Sequence, residues 1–458
     1  MTSMPTPVPA PSGLLGEVVR PGDAQYDALR RVHNARIDRR PALIVRATDA
    51  QGVAAAIHHA RETGLPLAVR AGGHSIAGHG SVDGGLVVDT RAMKDVVVDP
   101  AAMTVTATAG VTWAELDGAA QAQGLAVTGG RVSDTGVVGV TLGSGSGWLE
   151  RTMGLASDNL VAARVVTAAG VEVVTTPSRH PDLFWALRGG GGNFGVVTEV
   201  TLKAMALGPR VLAGLRAYPL RNAREVLAAY AEVMRDAPDE LCGGIALGAA
   251  PAAPGVPEAL RGEPFVGVVV LWAGDLACAE AGIAPLDALG EPLVDLVRPT
   301  HYTDLQRIFD RPPGESARCY LKFSVLDDLT PAAIETLAGL GEELTPASSI
   351  LLQPLGGAFG RVRPHDSALG DRSARWGCQV LSVWPQERED APCIAWTRAA
   401  AAELAEHGRA SSWPNMVSDD DRRRLPVAYA PATLQRLREI KRAWDPENVF
   451  RQNHNVAP

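Results

Sequence analysis

Two histidines, His74 and His79, stand in a run of glycines at residues 69–85, VRAGGHSIAGHGSVDGG. Glycine accepts positive φ and lets the backbone approach a ligand closely. One chemistry such a run could do is to wrap a phosphate-bearing cofactor and aim a histidine at it. A β-turn region with two solvated imidazoles has the same composition, and the stretch alone leaves both open. Two more glycine-rich zones follow, GGRVSDTGVVGVTLGSGSG at 129–147 and FWALRGGGGNFGVVTEVTL at 184–202. The third contains a formal G-x-G-x-x-G at Gly190, Gly192 and Gly195. A dinucleotide fingerprint of that form must follow a strand and open a helix. Here it follows the helix-like HPDLFWALR and opens a strand, which excludes a Rossmann site.

The elements that must hold these zones can be read from periodicity. ALIVRA at 42–47 is a buried strand, and TDAQGVAAAIHHARETG is a helix capped at Thr48/Asp49 and closed by Gly64. LPLAVRAGGHS is a second strand running into the first glycine zone, so that loop sits at a strand's carboxyl end, where open α/β sheets bind ligands. KDVVVDPAAMTVTATAGVTW alternates like paired strands. After residue 205 the texture changes to longer helices such as NAREVLAAYAEVMRDAP and alternating strands such as SSILLQPLGGAFGRV. LQRLREIKRAWDPENVF is a helix stopped by Pro446, before the terminal RQNHNVAP.

Composition bounds the function. A chain of 458 residues with 46% hydrophobic and 21% charged residues is an ordinary globular protein of two or three domains. A net charge of −8 without a basic cluster excludes a dedicated nucleic-acid binder. The five cysteines (Cys242, Cys278, Cys319, Cys378, Cys393) form no C-x-x-C, which speaks against a disulfide framework or a zinc site. MTSMPTPVPAPSG reads as a disordered tail, not a signal peptide, and FVGVVVLWAG at 265–274 is too short for a bilayer. The expectation is a soluble cytoplasmic protein, without a membrane or nucleic-acid partner, as a monomer or homodimer.

The three glycine zones and the N-x-N tail together resemble the berberine-bridge-enzyme-like group of FAD-linked oxidases, in its bacterial branch, over nearly the whole chain. The resemblance implies an α+β fold: a PCMH-type FAD-binding domain of two α/β subdomains, with an inserted substrate domain of antiparallel sheet covered by helices. It divides the chain into a tail at 1–24, the FAD domain at 25–205, the substrate domain at 206–405 and a C-terminal return at 406–458. The family motif R-x-G-G-H-S is Arg70, Ala71, Gly72, Gly73, His74 and Ser75 here. Its histidine is bonded to the flavin's 8α carbon, so the resemblance makes His74 the tether and His79, with Gly80, a nearby contact. A glycine loop's N–H groups suit the pyrophosphate, and a neutral imidazole is nucleophilic enough for the bond. Relatives with a second tether use a cysteine where Val132 stands, and no cysteine precedes Cys242, so FAD would be held through His74 alone. Thr135, Gly136, Gly139, Leu142, Gly143, Ser144, Gly145 and Gly147 match the flavin-lining stretch, with Ser144 inside the family's usual triple glycine. Asp158-Asn159, Val196 and Val197 also match, and Asn453 and Asn455 in DPENVFRQNHNVAP would return to the isoalloxazine.

The implied activity is oxidation of a small secondary-metabolite-type alcohol or ring compound, with O2 as electron acceptor. The base is the open part. The family's Y-x-N-Y is WPNM here, keeping Asn415 but placing Met416 where a tyrosine could take a proton. Gln353 and Cys378 occupy two other family positions for polar groups, and Asp134 is the remaining ionisable candidate, raised in pKa if buried against the flavin. Val132, Ile76 and Met416 make the pocket less polar, and Trp376, Trp384 and Trp413 are candidate walls. Tyr320 and Lys322 match a family Y-x-K and are expected to be structural. The alternatives are an oxygenase acting on an acidic carbon substrate and a catalytically silent flavin-binding protein.

Overall fold

A computed structural model describes residues 13–250, 256–312, 317–409, 413–421 and 429–458. The first sheet holds β1 (Glu17–Val19), β2 (Leu43–Arg46), β3 (Leu67–Arg70) and β4 (Leu86–Asp89) in the order β1-β2-β4-β3. β2, β4 and β3 are parallel, and β1 adds antiparallel at the edge. Between β2 and β3 runs the helix Ala50–Thr63; the Asp49 side chain accepts from the Gly52 N–H at 2.8 Å, and Gly64 closes it at φ 70°. β3 ends on Arg70, so the first glycine zone leaves the carboxyl end of a parallel strand, as its sequence predicts.

The second sheet is antiparallel: β5 (Val96–Asp99), β6 (Thr104–Thr108), β8 (Leu160–Val166), β9 (Glu172–Thr175) and β10 (Val196–Lys203), ordered β5-β6-β10-β8-β9. Its core continues into the helices Trp113–Gln121, Val137–Gly143 and Pro181–Leu187. β7 (Leu125–Ala126) pairs with β11 (Met205–Ala206) beside it.

Among the described residues the third sheet has nine antiparallel strands. They are β12 (Arg210–Pro219), β13 (Leu241–Ala249), β14 (Pro264–Trp272), β15 (Val294–Asp295), β16 (Arg298–His301), β17 (Arg318–Leu326), β18 (Ser348–Pro354), β19 (Trp376–Trp384) and β20 (Gly408–Arg409). Strand alternation sends Ile245, Leu247, Leu352, Cys378 and Val380 to one face. There they meet the helices Ala223–Arg235, Pro331–Glu342 and Asp390–Ala405 in a single apolar core. The opposite face turns toward the glycine zones.

Two expected boundaries move. The tail does not extend to residue 24, because Glu17–Val19 pairs with β2 and Tyr26–Arg30 is helical; its first twelve residues lie outside the described ones. Nor does the chain leave the third sheet at 406, since Gly408–Arg409 pairs with β17. The C-terminal helix Pro431–Trp444 then packs Leu434, Leu437 and Ile440 into the core of the second sheet. Lys441 on that helix is fully buried and satisfied: Nζ donates to Asp445 at 2.6 Å, to the Asn193 carbonyl at 2.7 Å and to the Phe450 carbonyl at 3.0 Å. No helix among the described residues is long and apolar enough to cross a membrane.

Where the helix Trp113–Gln121 meets Gln306 of the third-sheet segment, Asp117 is 1% exposed and accepts from Gln306 Nε2 at 2.8 Å. Burial pushes its carboxyl up to about 7. The folded state therefore binds a proton more tightly than the unfolded chain, and stability falls as pH rises from about 4 to about 7. Asp117→Asn is expected to flatten that slope and to raise the thermal midpoint at pH 8 relative to pH 5. Unfolding scans at both pH values check this, and an unchanged slope contradicts it.

Candidate active site

The first glycine zone is pinned from three sides. His33 N–H donates to the Gly73 carbonyl at 3.0 Å. Asn34, fully buried, donates to the Ile76 carbonyl at 2.8 Å and exchanges two bonds with the backbone of Cys319 at 3.1 Å each. Arg70 is buried beneath Gly73, where burial lowers its pKa to about 10, and it donates to the Leu29 carbonyl. Arg70 thus supports the loop from below. Ser75 Oγ accepts from the His79 N–H at 3.3 Å, holding the turn that contains Gly80.

The second zone lies directly on the first. A Cβ on Gly72 would fall 2.3 Å from the Gly136 nitrogen, and one on Gly136 would fall 2.5 Å from the Gly72 nitrogen. Only two glycines allow that approach, and Ala71 packs beside it. It brings His74 onto the neighbouring side chains: Nε2 lies 2.9 Å from Asp134 Oδ1 and Nδ1 lies 3.3 Å from Thr135 Oγ1. His33 stacks on His74 with centroids 3.9 Å apart and 28° between planes. Burial and the neighbouring His74 and Arg311 lower the His33 pKa to about 3, so its ring is neutral. Further along, Gly147 packs on Gly129, and Gly145 takes φ 82° against Ala156, while Gly139 is exposed. Ser144 has φ 175°, an extended value any residue adopts, so the triple glycine is not needed here.

The third zone and the C-terminus close the arrangement. The Gly189 and Gly191 N–H groups donate to the Leu142 carbonyl at 3.1 and 2.9 Å. Val196 and Val197, buried, begin β10. Asn193 donates to the His454 carbonyl at 3.2 Å and accepts from the Val456 N–H at 3.0 Å. Asn453 Nδ2 donates to the Gly192 carbonyl at 2.9 Å. His79 and His454 meet edge to face, with Nε2 atoms 3.3 Å apart. The Oδ1 atoms of Asn453 and Asn455 are buried without a partner among the described residues. Unpaired buried acceptors are costly, so these two oxygens are available to accept N–H groups from a bound ligand.

The four catalytic candidates separate. Asp134 is not the raised-pKa base the sequence suggests: its side chain is 72% exposed, and its bond to His74 holds the carboxyl below its ordinary value. Cys378 is also ruled out of the site. Cys378 pairs with Leu352 and Gly377 with Gln353, so the pleat puts Cys378 on the helix-covered face, where burial pushes its thiol up to about 12. Gln353 faces the glycine zones. Its Oε1 accepts from Arg131 at 2.5 Å and from Ser146 at 3.3 Å, leaving Nε2 buried and unpartnered among the described residues. Asn415 donates to the Val140 carbonyl at 2.7 Å and fills the space above Gly143, where a Cβ would lie 2.0 Å from Oδ1; it braces the end of the helix Val137–Gly143. Trp376 packs in the third-sheet core, Trp384 bonds Asp390, and Trp413 stacks with Phe323 and Phe359, so none of the three is a free wall. Tyr320 and Lys322 share Asp420 with Arg398. Asp158 likewise forms a two-bond pair with Arg372, at 2.9 and 3.1 Å.

Several site residues carry no sequence signal. Arg131 forms a buried pair with Glu150 at 2.8 Å and lies over Trp148; burial raises the Glu150 pKa. Asp310 receives both the N–H and hydroxyl of Ser133, and Arg311 donates to His33. These contacts join segments far apart in the chain, so spacing could not announce them.

Comparison with known proteins identifies the family. Residues 41–176 match the FAD binding domain family, and residues 426–457 match the berberine and berberine-like family. The chain is 30% identical to (R)-6-hydroxynicotine oxidase of Paenarthrobacter nicotinovorans over 99% of both sequences. A crystal structure of 6-hydroxy-D-nicotine oxidase from Arthrobacter nicotinovorans superposes with a TM-score of 0.86 at 28% identity, covering 99% of this chain and 100% of that one. An FAD-dependent monooxygenase of Fusarium proliferatum is 40% identical over 44% of this chain and 39% of its own length. The fold and site define an FAD-binding oxidoreductase. The chain belongs to the berberine-bridge-enzyme-like FAD-linked oxidases.

The loop contact generates a test. Gly136→Ala must separate two backbones, an overpacking that costs about 1–3 kcal/mol. The purified variant is expected to carry substantially less FAD than the wild type, by absorbance ratio. Gly118→Ala, on the exposed side of the helix Trp113–Gln121 with nothing within 4 Å of the added carbon, should keep its flavin. Equal loading of all three proteins contradicts the assignment.

Proposed function

We propose that this chain is an oxidase of a small alcohol or ring compound, that its FAD is bonded through His74 alone, and that O2 is its electron acceptor. Bound FAD supplies two-electron acceptance from a substrate C–H bond and delivery of those electrons to O2. The observation that carries the reading is the seat of His74, whose ring is oriented by Asp134 and Thr135 inside the contact of two glycine loops. Val132 cannot form a thioether, which supports a single tether. Residues of roughly 25–205 and the C-terminal return would hold the cofactor, and the third sheet would cover the substrate. On that sheet Gln353 is a hydrogen-bond donor, because Arg131 can only donate and so fixes Oε1 toward itself.

A second reading, an oxygenase of an acidic carbon substrate, is supported by the absence of a base among the candidates. Asp134 is held low, Cys378 is in the core and Met416 carries a thioether. Proton loss then falls to the substrate's own acidity.

The tether is tested by acid precipitation. The wild-type pellet should stay yellow and fluorescent on a denaturing gel, and His74→Ala should release its colour to the supernatant. A colourless wild-type pellet contradicts the bond. For the two readings, product analysis separates oxidised substrate plus peroxide from substrate that has gained an oxygen atom.

A further inference from the structure

Asp134, removed from the list of substrate bases, still makes a close contact with His74. We propose that Asp134 is a positioning residue for flavin attachment: it keeps the proton of His74 on Nε2 and so presents Nδ1 as the nucleophile toward the flavin's 8α carbon. The inference rests on the reading that His74 carries the flavin.

The geometry decides which nitrogen is free. An ionised carboxylate only accepts, so the 2.9 Å ion-pair contact favours a hydrogen on Nε2, and in the neutral ring the lone pair then falls to Nδ1. Thr135 Oγ1, 3.3 Å from Nδ1, is a hydroxyl that can donate to that lone pair and rotate away from it. The opposite tautomer would set two acceptors, Nε2 and the carboxylate, against each other. His33 completes the seat: a neutral ring 3.9 Å away adds no like charge as His74 becomes more positive, and Asp134 supplies the opposite charge. Arg311 lies against the His33 ring nitrogens, and its guanidinium disfavours a metal ion at the His33–His74–Asp134 cluster.

The bond change balances with O2 as oxidant. A C–N bond forms between Nδ1 and the 8α carbon. One C–H bond of that methyl group and the Nε2–H bond break, the latter along its hydrogen bond to Asp134. The two hydrogens and two electrons leave as H2O2.

The test is the time course of acid-stable flavin when flavin-free protein is mixed with FAD in air. Asp134→Ala should bind FAD and form the bond at least about tenfold more slowly, as losing tautomer control does elsewhere. Because the Asp134 side chain is exposed, sodium formate should enter its place and restore part of the rate. A merely structural loss would not respond to formate, so slow attachment without rescue overturns the proposal, as does attachment at the wild-type rate. If the alanine variant takes up no FAD, Asp134→Asn replaces it: its amide oxygen can still accept from Nε2, so attachment faster than in Asp134→Leu supports the proposal and equal rates overturn it. A wild-type protein that never becomes acid-stable instead sinks the tether itself, which keeps the two failures distinct.

Discussion

Two peptide backbones touching at Gly72 and Gly136 set the geometry from which the rest of the site follows. With a Cβ on either residue 2.3–2.5 Å from the facing nitrogen, no other residue pair fits. The contact joins the loop leaving β3 to the loop that opens the helix Val137–Gly143, and so unites the first two sheets. It also sets His74 against Asp134 and Thr135, neighbours it has only because the loops are in contact. Glycine's entropic cost is accepted at these positions for what a side chain would prevent.

A second constraint holds the chain's end in place. Lys441, Asp445 and the carbonyls of Asn193 and Phe450 form a buried, fully satisfied cluster. Buried ion pairs are seldom a net gain in stability, but this one fixes direction. It turns the segment after the helix Pro431–Trp444 back over the third glycine zone, where Asn453 and His454 bond Gly192 and Asn193. Asn34 does the same work at the other margin, tying the first loop to β17 of the third sheet.

Much of this was legible in the sequence, and the reasons differ by element. The helix Ala50–Thr63 announced itself through Asp49 and Gly64, and β10 through alternation after Gly195. The glycine run alone left a solvated turn equally open, and it was the resemblance carried by R-x-G-G-H-S that pointed to His74. What escaped was set by tertiary contact. Asp134 looked like a base because its environment could not be known; exposure and His74 give it the opposite pKa direction. Cys378 and Gln353 occupy family positions alike in sequence, but the pleat sends one to the helices and the other to the glycine zones. His33 and Arg131 lie in stretches without motif character, and only folding brings them to the site. The short strands Glu17–Val19 and Gly408–Arg409 exist through their pairing, which no local pattern reveals.

On the proposed reading, a site built this way orients a nucleophile toward a cofactor more clearly than it offers a base toward a substrate. Its central claim is that one histidine, through one nitrogen, holds the flavin. The direct measurement is tandem mass spectrometry of the protease-digested wild-type protein, reading which peptide and which residue carry the added flavin mass. The account predicts a single flavin-bearing peptide with the mass on His74. Flavin mass on another residue, or on none, would contradict it.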